Sequence, residues 1–195
     1  MTRAKETASQ TAGPYVHIGC TPNFLGIEGI FPEDLGTRMI TGEPEGERIT
    51  VTGSVIDGAG NVLKDALVEI WQADAAGQFP GHGAAPGFTG WGRSPGDMET
   101  GEFSFETLKP GRVPWHDGRK QAPHITVWVV ARGINLGLHT RIYFPDEEEA
   151  NAEDPILQRV EHRQRIQTLI ADKTDEGYRF DIRLQGEDET IFFDI

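Results

Sequence analysis

Six histidines, one cysteine and many carboxylates are the side chains of this 195-residue sequence that could carry chemistry. Their spacing excludes most of it. No two histidines stand as H-x-H or H-x-x-x-H, the spacings at which a strand or a helix turns two imidazoles to one metal. There is no glycine-rich phosphate loop between strand and helix and no nucleophile elbow. Cys20 stands alone, so it can form neither an internal disulfide nor a cysteine-based metal site and reads as a small, buried or half-buried thiol. The run Asp146-Glu147-Glu148-Glu149 lacks the spacing of a calcium loop and reads as a solvated face. The most informative residue left is His124, which opens the segment His124 to Arg132. The turn-rich stretch Pro110 to Gly118 could hold side chains close to it. From these residues alone a metal site made only of protein ligands is not expected, and His124 reads as a buried histidine hydrogen-bonded within its strand layer.

The elements that must position such groups are mostly strands. Seven segments are rich in β-branched or aromatic residues: Arg48 to Ile56, Ala66 to Ala73, Glu102 to Leu108, His124 to Arg132, Leu138 to Phe144, Tyr178 to Gln185 and Thr190 to Ile195. Between the first two, Asp57-Gly58-Ala59-Gly60-Asn61 supplies the positive-φ positions of a hairpin turn. In the fourth, Ile125, Val127, Val129 and Ala131 fall on one apolar face, and His124, Thr126, Trp128, Val130 and Arg132 on the other. After the cap-like pair Asp154-Pro155, the residues Ile156, Leu157, Val160, Ile166, Leu169 and Ile170 recur at helical spacing and predict one short helix on the edge. The expected architecture is an all-β sandwich over residues 48–195, preceded by an arm and loops over residues 1–47, within a single structural domain.

The formal charge of −13, from 31 acidic against 18 basic residues, excludes binding to nucleic acid or anionic membrane through clustered Lys and Arg. No apolar run approaches the roughly 20 residues that span a bilayer. Met1-Thr2-Arg3-Ala4-Lys5-Glu6 lacks the apolar core of a signal peptide, so a cytoplasmic address is expected.

Three segments carry a resemblance to the intradiol ring-cleavage dioxygenases, in which two tyrosinates and two histidines hold ferric iron. The family's first tyrosine follows a glycine and one further residue after a strand; Gly77-Gln78-Phe79 follows Val68 to Ala73 here, with Phe79 at that position. The second tyrosine precedes Pro-Trp, where this chain has Val113 before Pro114-Trp115. The paired histidines align with His124 and Thr126. An arginine that the family uses three residues before the first histidine is Gln121. The resemblance thus implies a degenerate pocket in which only His124 survives. It also identifies the chain with the alpha member of the family's two-chain enzymes, through Ser9 to Tyr15, Ala131 to Asn135, Leu138 to Phe144 and the tail from Tyr178 to Asp194.

The resemblance further implies a beta subunit that holds Fe(III), while this chain holds none and has no catalytic residue of its own. It implies cleavage of protocatechuate (3,4-dihydroxybenzoate) by O2 to 3-carboxy-cis,cis-muconate in the breakdown of aromatic acids. It transfers substrate-pocket roles to Thr11, Gly13, Pro14 and Tyr15 on the arm and to Arg132 at a strand end. Arg132 also has a physical argument: an anionic substrate is repelled by a chain of charge −13 except where a local cation dominates within a Debye length of roughly 8 Å. The alternative for Arg132 is a strut paired with an acidic residue. Two other readings of the chain are a free-standing ligand-binding sandwich and a metalloenzyme using His124 with His82 or His116.

Overall fold

A computed structural model describes residues 10–135 and 137–194. Residues 1–9, the start of the predicted arm, and Ile195 at the end of the last predicted strand lie outside the described residues. In chain order the elements are helix α1 (Pro14–Cys20), strands β1 (Arg48–Ile56), β2 (Leu67–Trp71), β3 (Trp91–Pro95), β4 (Glu102–Leu108), β5 (His124–Val130) and β6 (Leu138–Tyr143), helix α2 (Glu148–Glu153), two 3-10 helices (Leu157–Arg159 and Arg163–Leu169), and short strands β7 (Asp172–Thr174), β8 (Gly177–Arg179) and β9 (Ile182–Arg183). The strands form two sheets, β4-β1-β8-β7 with β9 also on β1, and β3-β2-β5-β6. This is the all-β sandwich that the alternating segments predict.

The core lies between the sheets and follows from the period of two. Ile125, Val127, Val129 and Ala131 are fully buried, and they share one cluster with Val51, Val55, Phe103 and Phe105 of the opposing sheet. Each of the valine, isoleucine and phenylalanine side chains contributes about 1.5–3 kcal/mol by leaving water. Met39, from the loops ahead of β1, is buried in the same core, and Ile40 bridges Phe88.

Several local expectations are corrected. The turn at Asp57 to Asn61 forms, with the Asp57 carboxylate accepting from the Ala59 and Asn61 amides, but only Gly60 takes positive φ. The hairpin it closes is a single antiparallel bridge, Ile56 to Val62, with the Leu63 amide donating to the Val55 carbonyl; the long ladder of β1 is with β4, and after the turn the chain crosses to the other sheet. β3 is unpredicted because Gly92 and Pro95 dilute its strand character; as an edge strand it tolerates a terminal proline. The helix predicted over Ile156 to Ile170 is instead two 3-10 segments, separated by extended Val160 and non-helical His162. The apolar spacing there reflects packing of Leu157, Ile166, Leu169 and Ile170 against Tyr143 in a second small core. The predicted strand Tyr178 to Gln185 is split at Phe180-Asp181, where the Asp181 carboxylate accepts from the Ser54 amide. Of the final predicted strand, the described residues form one bridge, Phe193 to His139. Among the described residues no helix is long and apolar enough to cross a membrane.

Candidate functional site

Two clusters stand at opposite ends of β5. The first gathers the four degenerate positions. The Asp74 carboxylate is almost wholly buried and accepts from the amides of Ala76, Gln78 and Ala85, which fixes the loop that carries Phe79. Gly77 in that loop has φ +77° and passes so close to the Arg112 carbonyl that a Cβ would sit 2.3 Å from its oxygen. The Gly111 amide donates to the Asp74 carbonyl at 2.8 Å, so the Phe79 loop and the Val113 turn are stitched together. The Gln121 amide donates to the Val113 carbonyl, also at 2.8 Å, which joins that turn to the start of β5. Trp71 stands opposite Thr126 across the β2–β5 ladder and stacks on Phe79 with ring centroids 6.1 Å apart.

His124 is buried there. Its Nδ1 lies 2.8 Å from the Ala122 carbonyl oxygen, so Nδ1 carries the proton and Nε2 is the bare nitrogen. A metal-bound histidine is oriented by the same kind of bond, yet among the described residues no other His, Cys, Asp or Glu side chains group with it as a metal site. Burial, and then the nearby Arg141 guanidinium, pull its pKa down to about 4. Arg141 projects from β6, opposite Thr126, and donates to the Gln121 side-chain oxygen at 2.8 Å and to the Tyr143 hydroxyl at 3.3 Å. A guanidinium is thus brought beside Gln121 from the neighbouring strand. Tyr143 in turn donates to Asp154, which is fully buried and also accepts from the Ala122, Ile156 and Leu157 amides. Burial raises the Tyr143 phenol, so it stays a donor. This network was not expected from the sequence beyond the cap-like Asp154-Pro155.

These side chains do not fit ferric iron. A hard trivalent ion needs anionic oxygen donors, and Phe79 and Val113 offer no donor while Thr126 offers a neutral hydroxyl. Among the described residues no three His, Cys, Asp or Glu side chains group as a metal site, and His82 and His116 do not gather with His124 in one.

The second cluster lies beyond the other end of β5. Six steps at about 3.3 Å each separate His124 from Val130, so the two clusters are roughly 20 Å or more apart. Arg132 sits in the turn just after β5, closed by Gly133 at φ +87°, which a side chain would strain. The Arg132 Nε pairs with the Asp65 carboxylate, and its side chain remains 71% exposed. The Thr11 hydroxyl donates to the Ala131 carbonyl at 3.4 Å and accepts from the Gly133 amide at 3.0 Å, so the arm is tied on both sides of Arg132. Gly13, with extended backbone, is the N-cap of α1, and Pro14 is its first residue. A Cβ on Gly13 would touch nothing within 4 Å. Tyr15 projects from α1 with 84% of its surface exposed. Thr11, Gly13, Pro14, Tyr15 and Arg132 are thus brought to one end of the sandwich, well away from the degenerate pocket.

A family model described as "Dioxygenase" matches residues 21–186. The protocatechuate 3,4-dioxygenase alpha chain of Pseudomonas putida is 44% identical over 194 residues, covering 97% of this chain and 96% of that one. The chain belongs to the intradiol dioxygenase family. It is also 40% identical to the protocatechuate 3,4-dioxygenase beta chain of Burkholderia cepacia over 183 residues, 85% of this chain and 77% of that one. Among solved structures, the dioxygenase domain of a dioxygenase and carbohydrate-binding fusion protein from Streptomyces sp. SirexAA-E superposes with a TM-score of 0.55 at 27% identity, covering 76% and 86% of the two chains. Within the intradiol dioxygenases, then, this chain keeps the sandwich, and it carries Phe79, Val113 and Thr126 at positions where the resemblance expects iron donors.

Proposed function

We propose that this chain is the iron-free alpha subunit of a protocatechuate 3,4-dioxygenase, paired with a beta subunit that holds Fe(III) and binds O2 and substrate. One observation carries the reading, the full-length likeness to an alpha chain; it is supported by Phe79, Val113 and Thr126 at the positions that the resemblance aligns with three iron donors. The isolated chain is inactive. The pair carries out intradiol cleavage of 3,4-dihydroxybenzoate to 3-carboxy-cis,cis-muconate, with the ring-cleavage chemistry on the partner.

The part of this chain is to bind and orient. Thr11, Gly13, Pro14 and Tyr15 form one wall of the partner's pocket mouth, and Arg132 faces the substrate carboxylate. Among the described residues Asp65 pairs with Nε of Arg132 and no partner holds the two terminal nitrogens, a fork that suits a second carboxylate. Gly13 has open space on its Cα, so backbone can approach a ligand there. The surface around Tyr15 and Ile18, exposed in the single chain, is buried against the partner.

Arg132→Ala in the assembled complex tests the reading. A charge-assisted hydrogen bond is worth about 1.5–3 kcal/mol, so kcat/KM for protocatechuate falls roughly ten- to a hundredfold, mainly through KM, with iron content unchanged. Catechol lacks the carboxylate and is used equally by wild type and variant. Equal losses on both substrates would make Arg132 a strut.

A further inference from the structure

His17 belongs to no part of the pocket wall, yet it is buried on α1 between the arm and the sandwich. Its Nε2 lies 2.9 Å from the backbone carbonyl oxygen of Asp65. Because a carbonyl can only accept, Nε2 carries the proton, and Nδ1 accepts from the Thr21 hydroxyl at 3.2 Å. Asp65 is the same residue whose carboxylate pairs with Arg132. The arm therefore grips the Arg132 turn at three points: Thr11 bonds to Ala131 and Gly133 on either side of it, and His17 bonds to the residue that holds its guanidinium.

We propose that His17 is a positioning residue for substrate recognition: by fixing the Asp65 backbone against α1, it sets where the Asp65 carboxylate holds Arg132 and hence where the free guanidinium fork points. This rests on the reading of Arg132 as the partner to the substrate carboxylate. Arg132 is a long side chain that is mostly in solvent, so little but Asp65 restrains it. Asp65 itself sits in the turn just ahead of β2, where the His17 bond ties it to the arm. The same bond, with the Arg93 guanidinium donating to the Cys20 carbonyl, seats α1, and it couples Tyr15 to Arg132 through two contacts in series, the His17–Asp65 hydrogen bond and the Asp65–Arg132 ion pair. His17 touches neither substrate nor iron in this scheme.

The test uses the assembled complex with His17→Leu and His17→Gln, beside Arg132→Ala, each assayed for kcat and KM on protocatechuate and on catechol, with iron content and melting temperature recorded. Gln keeps an amide donor that can reach the Asp65 carbonyl; Leu keeps the bulk and loses the donor. His17→Leu raises KM for protocatechuate roughly two- to tenfold, the span of one neutral hydrogen bond, with kcat and the catechol reaction unchanged. His17→Gln restores most of that loss. Equal losses on both substrates in His17→Leu, or no rescue by Gln, would overturn the positioning role and leave an arm anchor only. A selective loss in Arg132→Ala with none in His17→Leu would overturn the role of His17 while sparing that of Arg132. No selective loss in Arg132→Ala would overturn the carboxylate reading and this inference together.

Discussion

His124→Asn should remove a pH-dependent component of stability that the native chain carries between about pH 4 and 6.5. Buried beside Arg141, His124 has its pKa drawn from the ordinary 6.5 down to about 4. The unfolded chain therefore binds a proton at His124 over a range in which the folded chain does not. Stability rises with pH wherever the unfolded state holds more protons, so the contribution of His124 is fully present above about pH 6.5 and is lost as pH falls toward 4. A difference of about 2.5 pH units at about 1.36 kcal/mol each gives roughly 3 kcal/mol across the window. Asparagine places an amide nitrogen near the position of Nδ1, keeps a donor for the Ala122 carbonyl at 2.8 Å, and does not titrate. Urea unfolding of both proteins at pH 7.5, 6, 5 and 4.5 is the assay. The native chain should lose about 2–3 kcal/mol more than the variant between the first and last pH, whatever fixed cost the shorter side chain brings. Parallel pH profiles would refute the reasoning, since a histidine free to protonate in the folded state would not be buried next to a guanidinium.

Two further outcomes follow from the degenerate pocket and its frame. Val113→Tyr alone leaves the Phe79 and Thr126 positions without metal donors, so it yields no bound iron and no tyrosinate-to-iron colour by metal analysis and visible absorption; a coloured, iron-loaded variant would contradict the account. Gly77→Ala puts a methyl 2.3 Å from the Arg112 carbonyl oxygen at φ +77°, so it should cost about 1–3 kcal/mol and lower the melting temperature by several degrees, where Ala76→Gly should cost little.

How much of this was legible in the sequence differs element by element. β5 was the most legible, because a period of two from His124 puts Ile125, Val127, Val129 and Ala131 on one face and all four are fully buried; the strand itself stops at Val130, two residues short of the predicted end, where the chain turns at Arg132 and Gly133. β3 could not, because its stability comes from the ladder with β2 rather than from Trp91-Gly92-Arg93-Ser94-Pro95 itself. The 3-10 segments after Pro155 imitate helical spacing because contact with Tyr143 selects the same apolar positions that a helix would present. α1 is a single short run whose one local signal, Pro14 after Gly13, also fits a plain turn. The degenerate pocket was visible only through the family, since Phe79, Val113 and Thr126 carry no chemistry that would single them out. The partners of the two arginines were invisible: Asp65 for Arg132 and Gln121 for Arg141 are joined by strand register and loop packing, which no local pattern encodes.

If iron belongs to the partner and substrate positioning is shared, the metal follows the partner and activity needs both chains. Metal analysis of this chain purified alone, and again after co-expression and co-purification with an iron-bearing beta subunit, tests it most directly when oxygen uptake on protocatechuate is followed in parallel. The lone chain should hold no stoichiometric iron and show no uptake, and the complex about one iron per alpha-beta pair with full uptake. One iron per polypeptide in the lone chain, with protocatechuate-dependent oxygen uptake, would contradict it.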